Sequence, residues 1–349
     1  MNTRRSRMSA PSLTLPRALP FTSIVLLACA LAVSVVLAVG FGPARIAPGD
    51  VMRAIAAHLA GGAHINTMID AIVWQIRLPR VLLGALVGAA LALAGAVLQA
   101  ATSNRLADPH LLGVSAGASV GAVAATLWLG AAWGALTLPA CAFVGALAAT
   151  SLVIGCGTRG ARLDAQRLLL AGVAISFVLM ALANLLLYVG DQRAAASVLF
   201  WTLGGLGLAR WNLLALPAAF VACGLLLLIA RRRELNALMS GDVVAATLGL
   251  NVARVRRELF VVCSLLTAGM VAVSGAIGFV GLVAPHIARR FVGADHARVL
   301  PASALVGALL LVWADVAART LIAPDDLPIG VVTGLFGGVF FVLLIGRGK

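Results

Sequence analysis

The chain has 349 residues, of which 62% are hydrophobic and only 11% are charged, and its mean hydropathy is +1.07. Soluble domains are about half apolar and about a quarter charged, so this composition excludes an ordinary soluble protein. The net charge of +14 does not indicate nucleic acid, because the basic residues are scattered between apolar runs rather than gathered in one tract. We expect a protein surrounded by membrane lipid that binds no nucleic acid.

The cysteines and histidines predict neither a disulfide framework nor a metal centre. The five cysteines lie in or beside apolar runs without CxxC spacing, and the five histidines show no HxxxH or HExxH spacing. We therefore expect no metal site and no cofactor held by this chain.

Apolar runs long enough to cross a bilayer follow one another along the chain. A spanning helix needs about 20 apolar residues, because about 30 Å of hydrocarbon is crossed at about 1.5 Å per residue. Nine runs meet this length: 21–41, 78–101, 111–132, 134–156, 168–190, 211–230, 259–279, 300–323 and 328–346. A tenth candidate, 280–294, is short, contains Pro285 and carries Arg289 and Arg290.

The distribution of basic residues decides between nine and ten spans. Cytoplasmic loops retain Lys and Arg. With ten spans and both termini inside, 19 of the 26 basic residues lie in inner segments, whereas with nine spans five of these move outside and the inner count falls to 14. The sequence therefore predicts an all-α integral membrane protein with ten transmembrane helices in a bacterial cytoplasmic (inner) membrane.

This topology divides the chain into a cytoplasmic tail, 1–20, and a single membrane domain, 21–346. The first apolar run is longer than the core of a cleaved signal peptide and follows several arginines, so we expect the N-terminus to stay in the cytoplasm. The periplasmic segment 42–77 is amphipathic enough to hold an interfacial helix. The largest cytoplasmic loop is 231–257.

The sequence predicts that this chain carries no energy source of its own. Asp315 alone among the acidic residues lies well inside a span, whereas an ion-coupled carrier usually needs intramembrane carboxylates or broken helices. A P-loop needs a lysine that reaches the phosphates, and the sole lysine is Lys349. We expect no catalytic residue here, and any ATPase must be another chain.

Such an ATPase would dock on a cytoplasmic surface such as loop 231–257, where Asp242 can cap a short helix that ends at Gly249.

Six motifs occupy most of the chain from Trp74 onward. They are WQIRLPR (74–80), GAALALAGAVLQA (88–100), NRLADPHLLGVSAGA (104–118), GDVVAATLGL (241–250), GFVGLVAPHIARR (278–290) and DLPIGVVTGLFGG (326–338). Together they resemble the FecCD-type permeases, the membrane subunits of binding-protein-dependent ABC importers for iron-siderophores, haem and vitamin B12. The family commonly has proline where this chain has Arg105.

The resemblance implies the type II ABC importer permease fold, in a homodimer around a central path. It also implies two ATP-binding ABC subunits, which would hold the ATP and Mg²⁺, and a periplasmic substrate-binding protein. Three matching positions imply docking of that binding protein: Arg77, Arg80 and Arg319. Five more imply coupling to the ATPase: Gly241, Asp242, Ala245, Leu248 and Gly249.

We expect spans three, five and ten to line the translocation path, with Ser115, Ser119, Asn184, Gly330 and Thr333. Only the frequency of each substrate within the family orders the candidates, with iron-siderophore first, haem second and cobalamin third. Two other classes of protein remain open. One is an ion-coupled secondary carrier or channel, in which Asp315 would carry the ion, and the other is a receptor or scaffold without substrate flux.

Overall fold

The structure is a computed structural model that describes residues 20–60, 67–159, 162–163 and 165–346. Almost all of these residues are helical. The α-helices in chain order are α1 (Pro20–Gly40), α2 (Pro48–Ala60), α3 (Thr67–Asp70), α4 (Leu78–Ala101), α5 (Val114–Ala124), α6 (Thr137–Gly157), α7 (Ala165–Val189), α8 (Gln192–Thr202), α9 (Trp211–Ala230), α10 (Arg232–Met239), α11 (Asp242–Thr247), α12 (Val252–Ser274), α13 (Val280–Val292), α14 (His296–Thr320) and α15 (Ile329–Gly346). A hairpin of β1 (Thr158–Arg159) and β2 (Arg162–Leu163) connects α6 to α7, with Thr158 opposite Leu163.

Seven helical segments within the described residues are long and apolar enough to cross a membrane. They are Phe21–Gly40, Met68–Ala101, Gly134–Gly157, Gln166–Val189, Trp211–Ala230, Val252–Ser274 and His296–Thr320. Two shorter apolar helices, Val114–Leu129 and Ile329–Leu343, fall where spans three and ten are predicted. The remaining one, α13, has 13 residues and contains Pro285. All ten predicted spans are therefore helices, although α13 covers only about 20 Å of depth.

The predicted span 78–101 coincides with α4, but helix also precedes residue 78. The continuous helical stretch that contains α4 begins earlier, at Thr67, because α3 continues through a π-helical turn, Ala71–Arg77, into α4. This turn buries Val73 against the end of α1. The segment before that helix, predicted as 42–77, is correspondingly shorter. It does contain the predicted surface helix, α2. Residues 1–19 and 61–66 lie outside the described residues.

The centre of the bundle is α4, which packs against α9, α12, α13 and α14 and is buried along most of its length. Glycines allow two of these contacts. A Cβ on Gly88 would lie 2.2 Å from the carbonyl oxygen of Gly307 on α14, and one on Gly95 would lie 1.9 Å from that of Gly281 on α13. Small residues therefore bring the helix backbones into direct contact, as is typical of helix packing in lipid.

The bundle has two ends, which we name after the predicted orientation. The inner end carries α10 and α11, and Arg256 on α12 places the last turn of α4 there by donating to Ala101 O. The outer end carries the first turn of α4 and the last turn of α14, which meet through Arg80 and Asp315.

Candidate functional site

Two buried arginines at the outer end bind carbonyl groups in the last turn of α1 and in the residues just after it. Arg77 donates from Nη1 to Val39 O at 3.1 Å and from Nη2 to Ala44 O at 2.6 Å. The last four carbonyls of a helix have no partner inside the helix and carry partial negative charge, so a guanidinium group satisfies both needs.

Arg319 on α14 approaches the same end of α1 from the other side. It donates from Nη1 to Phe41 O at 3.0 Å and from Nη2 to Ala38 O at 3.3 Å. Both arginine side chains are buried. The structure therefore uses Arg77 and Arg319 inside the molecule, and their predicted role in docking a binding protein stays a prediction.

Asp315 lies at the centre of the ion pairs at this end. Its carboxylate is fully buried between Arg80 Nε, 2.9 Å from Oδ1, and Arg319 Nε, 2.9 Å from Oδ2. Arg80 also reaches outward, where Nη1 lies 2.6 Å from Oδ2 of Asp326. Arg80 is therefore the one predicted docking arginine with surface exposure, and it is already paired with an exposed carboxylate.

The predicted coupling helix is present at the inner end as α11. Gly241 precedes it with φ +100°, and Gly249 follows it with φ +83°, conformations that favour glycine. The expectation that Asp242 caps this helix is wrong. Asp242 is the first helical residue, and its Oδ1 accepts from Arg256 Nη2 at 2.6 Å, because the buried guanidinium on α12 lies within reach.

Arg256 connects the coupling helix to the central span. Its Nε donates to Ala101 O, the last residue of α4, at 2.7 Å, while Nη2 holds Asp242. A second contact joins the same turn to α10, since Ser103 Oγ donates to Leu238 O at 2.9 Å. Arg256 therefore links α11 to the end of α4 through side-chain hydrogen bonds.

A separate contact joins α10 to the beginning of α14. Asn236 donates from Nδ2 to Asp295 Oδ1 at 2.8 Å and accepts from His296 N at 2.9 Å, while Asp295 also caps α14 by accepting from Ala297 N. The hydrogen bond from Asn236 and the backbone bond from Ala297 hold the pKa of Asp295 below its usual range. The inner loop is thus attached to two central helices, α4 and α14.

The predicted path residues do not form one surface in the single chain. Ser119 is buried on α5 and donates to Ser115 O, Asn184 is exposed on α7, and Thr333 lines an apolar crevice of about 420 Å³ between α13, α14 and α15. Gly330, at the start of α15, touches the turn after α8. The path assignment stays a prediction.

A non-helical segment, residues 275–279, connects α12 to α13 inside the bundle. Gly275 has φ +66° and ends α12, so the predicted span 259–279 ends five residues early at Ser274. The carbonyl of Ile277 accepts from His110 Nε2 at 2.7 Å, and His110 Nδ1 also contacts Ser115 Oγ. Non-helical backbone at membrane depth is tolerated where protein buries it or where it lines a cavity.

Three residues that hold these contacts were missed by sequence reasoning: His110, Arg256 and Asp326. For the 275–279 segment a signal existed, because Gly275 and Gly278 interrupt the apolar run. The sequence contains no such signal for His110, Arg256 or Asp326, because each of them forms a hydrogen bond with a residue that is distant along the chain.

Comparisons with known proteins show that this chain is similar to permease subunits. The chain is 42% identical to the uncharacterized ABC transporter permease protein YvrB of Bacillus subtilis, with 91% of each chain covered. It is 40% identical to the hemin transport system permease protein HmuU of Yersinia pestis, with 81% of this chain and 86% of that one covered. It is 42% identical to the cobalamin import system permease protein BtuC of Halobacterium salinarum, over 78% of this chain and 73% of that one.

A solved structure gives the same fold. It is described as an inward-facing conformation of a metal-chelate type ABC transporter, and it matches with a TM-score of 0.80 at 28% identity, covering 93% of this chain and 99% of that one. The family model of the FecCD transport family matches residues 30–347. This chain, a multi-pass ABC importer permease, belongs to the FecCD transport family.

Proposed function

We propose that two copies of this chain form the membrane path of an importer for a metal chelate. Each copy would bind one ATPase subunit at its inner end, and a soluble binding protein would deliver substrate at the outer end. The ATPase subunits would hold ATP and Mg²⁺. Both termini would lie in the cytoplasm, and the chelate would cross a bacterial inner membrane unchanged.

The observation that carries this proposal is the surface of α11. Val243, Val244 and Leu248 are 79%, 44% and 67% exposed, although α11 belongs to no apolar span. Uncovered apolar side chains outside the lipid mark a protein contact site. Ala245 on the opposite side is fully buried, so the helix is held in place while its apolar face remains available to a partner.

The relatives, rather than any single residue, support a metal chelate as the substrate. Their names specify hemin, cobalamin and vitamin B12, and the solved structure is of metal-chelate type. All of these substrates are large chelates that a preformed apolar path can accept. Iron-siderophore remains our first choice, haem is a second, and cobalamin has equal support from the relatives.

The geometry also argues against the ion-coupled alternative. A secondary carrier would use Asp315, but that carboxylate already lies 2.9 Å from guanidinium nitrogens of both Arg80 and Arg319. A coupling ion would have to displace both arginines in every cycle. The inner contacts of Arg256 and Asn236 instead provide a connection through which an ATPase can act on α4 and α14.

The test is uptake into proteoliposomes that contain this chain with its co-encoded ATPase and binding protein. Ferric siderophore, haem and cobalamin are offered separately, with and without internal ATP. We expect one substrate to accumulate only when both ATP and the binding protein are present. Uptake that continues without ATP and stops when the ion gradient is collapsed would establish the secondary carrier instead.

A further inference from the structure

Arg80 forms ion pairs with two carboxylates, one buried and one exposed. Asp315 is fully buried and lies on α14, whereas the side chain of Asp326 is 45% exposed. The inward contact joins two spans and is shielded from water. The outward contact lies at the surface, where a charged group from another protein can compete for the same guanidinium nitrogen.

Asp326 belongs to the connection between α14 and α15. Residues 321–326 of this connection are all exposed. Leu327 N donates to Ala318 O at 3.0 Å and thereby anchors the end of the connection to α14. Among the residues that the structure describes, the contact with Arg80 is the only side-chain bond of Asp326, and it ties the carboxylate to α4.

We propose that Asp326 occupies, in the free permease, the position on Arg80 that a carboxylate of the binding protein takes on docking. The inference rests on the proposed function, because it requires a binding protein that docks at the outer end. In the free protein, Asp326 neutralises the outward nitrogen of Arg80 and competes with the partner. On docking, one carboxylate replaces another at Arg80 Nη1, and Asp326 is released to water.

The release of Asp326 would also affect the position of α15. The helix begins three residues later at Ile329, whose N–H donates to Gly204 O at 2.9 Å, and Gly330 N donates to Leu203 O at 3.1 Å. These bonds hold the start of α15 on the turn that follows α8. Loss of the contact between Asp326 and Arg80 would free the connection from α4, so docking would reach the predicted path through α15.

The adjacent residue provides a matched control. Asp325 is exposed and has no side-chain partner among the described residues, and its substitution removes the same charge from the same connection. Asp326→Asn and Asp325→Asn therefore change the general electrostatic field almost equally. Only Asp326→Asn removes the carboxylate partner of Arg80 Nη1, while Arg80 Nε stays paired with Asp315.

The experiment measures the affinity of the binding protein for the assembled permease and ATPase complex in detergent at low salt. We expect Asp326→Asn to tighten binding about three- to fivefold relative to Asp325→Asn, because exposed ion pairs contribute up to about 1 kcal/mol. Asp326→Glu, which keeps a carboxylate, should bind like the wild type. In an Arg80→Gln background the difference between Asp326→Asn and Asp325→Asn should disappear.

The outcomes separate this inference from the proposed function. If the wild-type complex binds the binding protein and the two asparagine variants have equal affinities, the exchange at Arg80 is wrong while the importer remains. If the wild-type complex binds no such protein, both proposals are overturned. Copurification of the ATPase shows that each variant is folded, and Asp326→Ser replaces Asp326→Asn if that variant does not assemble.

Discussion

At the scale of single residues, the arginines at the outer end stabilise the fold. Arg77 and Arg319 come from different helices, yet both donate to carbonyl groups at the end of α1. The resemblance to the FecCD-type permeases implies a docking role for both arginines, and this role stays a prediction. Burial of these two guanidinium groups shows what the resemblance lacks, namely the position of the helix end that they bind.

We expect Arg77→Gln to lower the stability of the permease by about 1–3 kcal/mol, because buried carbonyl groups lose their donors. Thermal unfolding in detergent measures this change. The control is Arg45→Gln, since Arg45 is exposed near the same end and should tolerate the substitution. Unchanged stability of Arg77→Gln together with weaker binding-protein affinity would instead support docking by Arg77.

At the scale of secondary-structure elements, the inner loop is a set of short helices attached to the long ones. α11 is held through Asp242 and Arg256, and α10 through Asn236. The apolar face of α11 has no cover in the single chain. Such an element can transmit a displacement because it is anchored on one side and free on the other.

We expect Arg256→Gln to reduce substrate uptake per ATP hydrolysed by about tenfold, within the range of measured coupling free energies of about 1–3 kcal/mol. The loss follows because α11 is no longer joined to Ala101 at the end of α4. Uptake and hydrolysis are measured together in proteoliposomes. Arg257→Gln is the control, because Arg257 is exposed on the same helix. Equal coupling in the two variants would contradict transmission through Arg256.

At the scale of the whole molecule, glycines determine how closely the helices approach α4. Gly88 faces Gly307 and Gly95 faces Gly281, in each case backbone to backbone. Glycines at i, i+4 spacing inside a span, such as Gly84 and Gly88, predict close helix packing but not the partner helix. The row of Gly330, Gly334 and Gly338 looks the same in sequence, yet a Cβ on Gly334 would meet no atom within 4 Å.

We expect Gly88→Ala to destabilise the bundle by about 1–3 kcal/mol or more, because its methyl group would lie 2.2 Å from a backbone oxygen that cannot move away. Gly334→Ala, with open space around the new methyl group, should be as stable as the wild type or slightly more stable. Thermal unfolding and yield of assembled complex compare the two variants. Similar stabilities would mean that α4 and α14 can separate without loss.

The sequence by itself determined the class of protein, the ten helices and the family. These properties depend on length, hydropathy and short motifs, which are local quantities that a linear chain displays directly. The presence of the short helix α11 also belongs to this group, since Gly241 and Gly249 bound it in the sequence and both have positive φ in the structure. Its role in coupling stays a prediction.

Only the tertiary structure decided what the charged and polar residues bind. At least one hydrogen-bond partner lies more than thirty residues away along the chain for each of Arg77, Arg80, Arg256 and His110. The break at Gly275 likewise depends on contacts with the turn after α8. A buried polar group takes whichever partner the packing of helices brings within about 3 Å, and the distance along the chain does not contain that information.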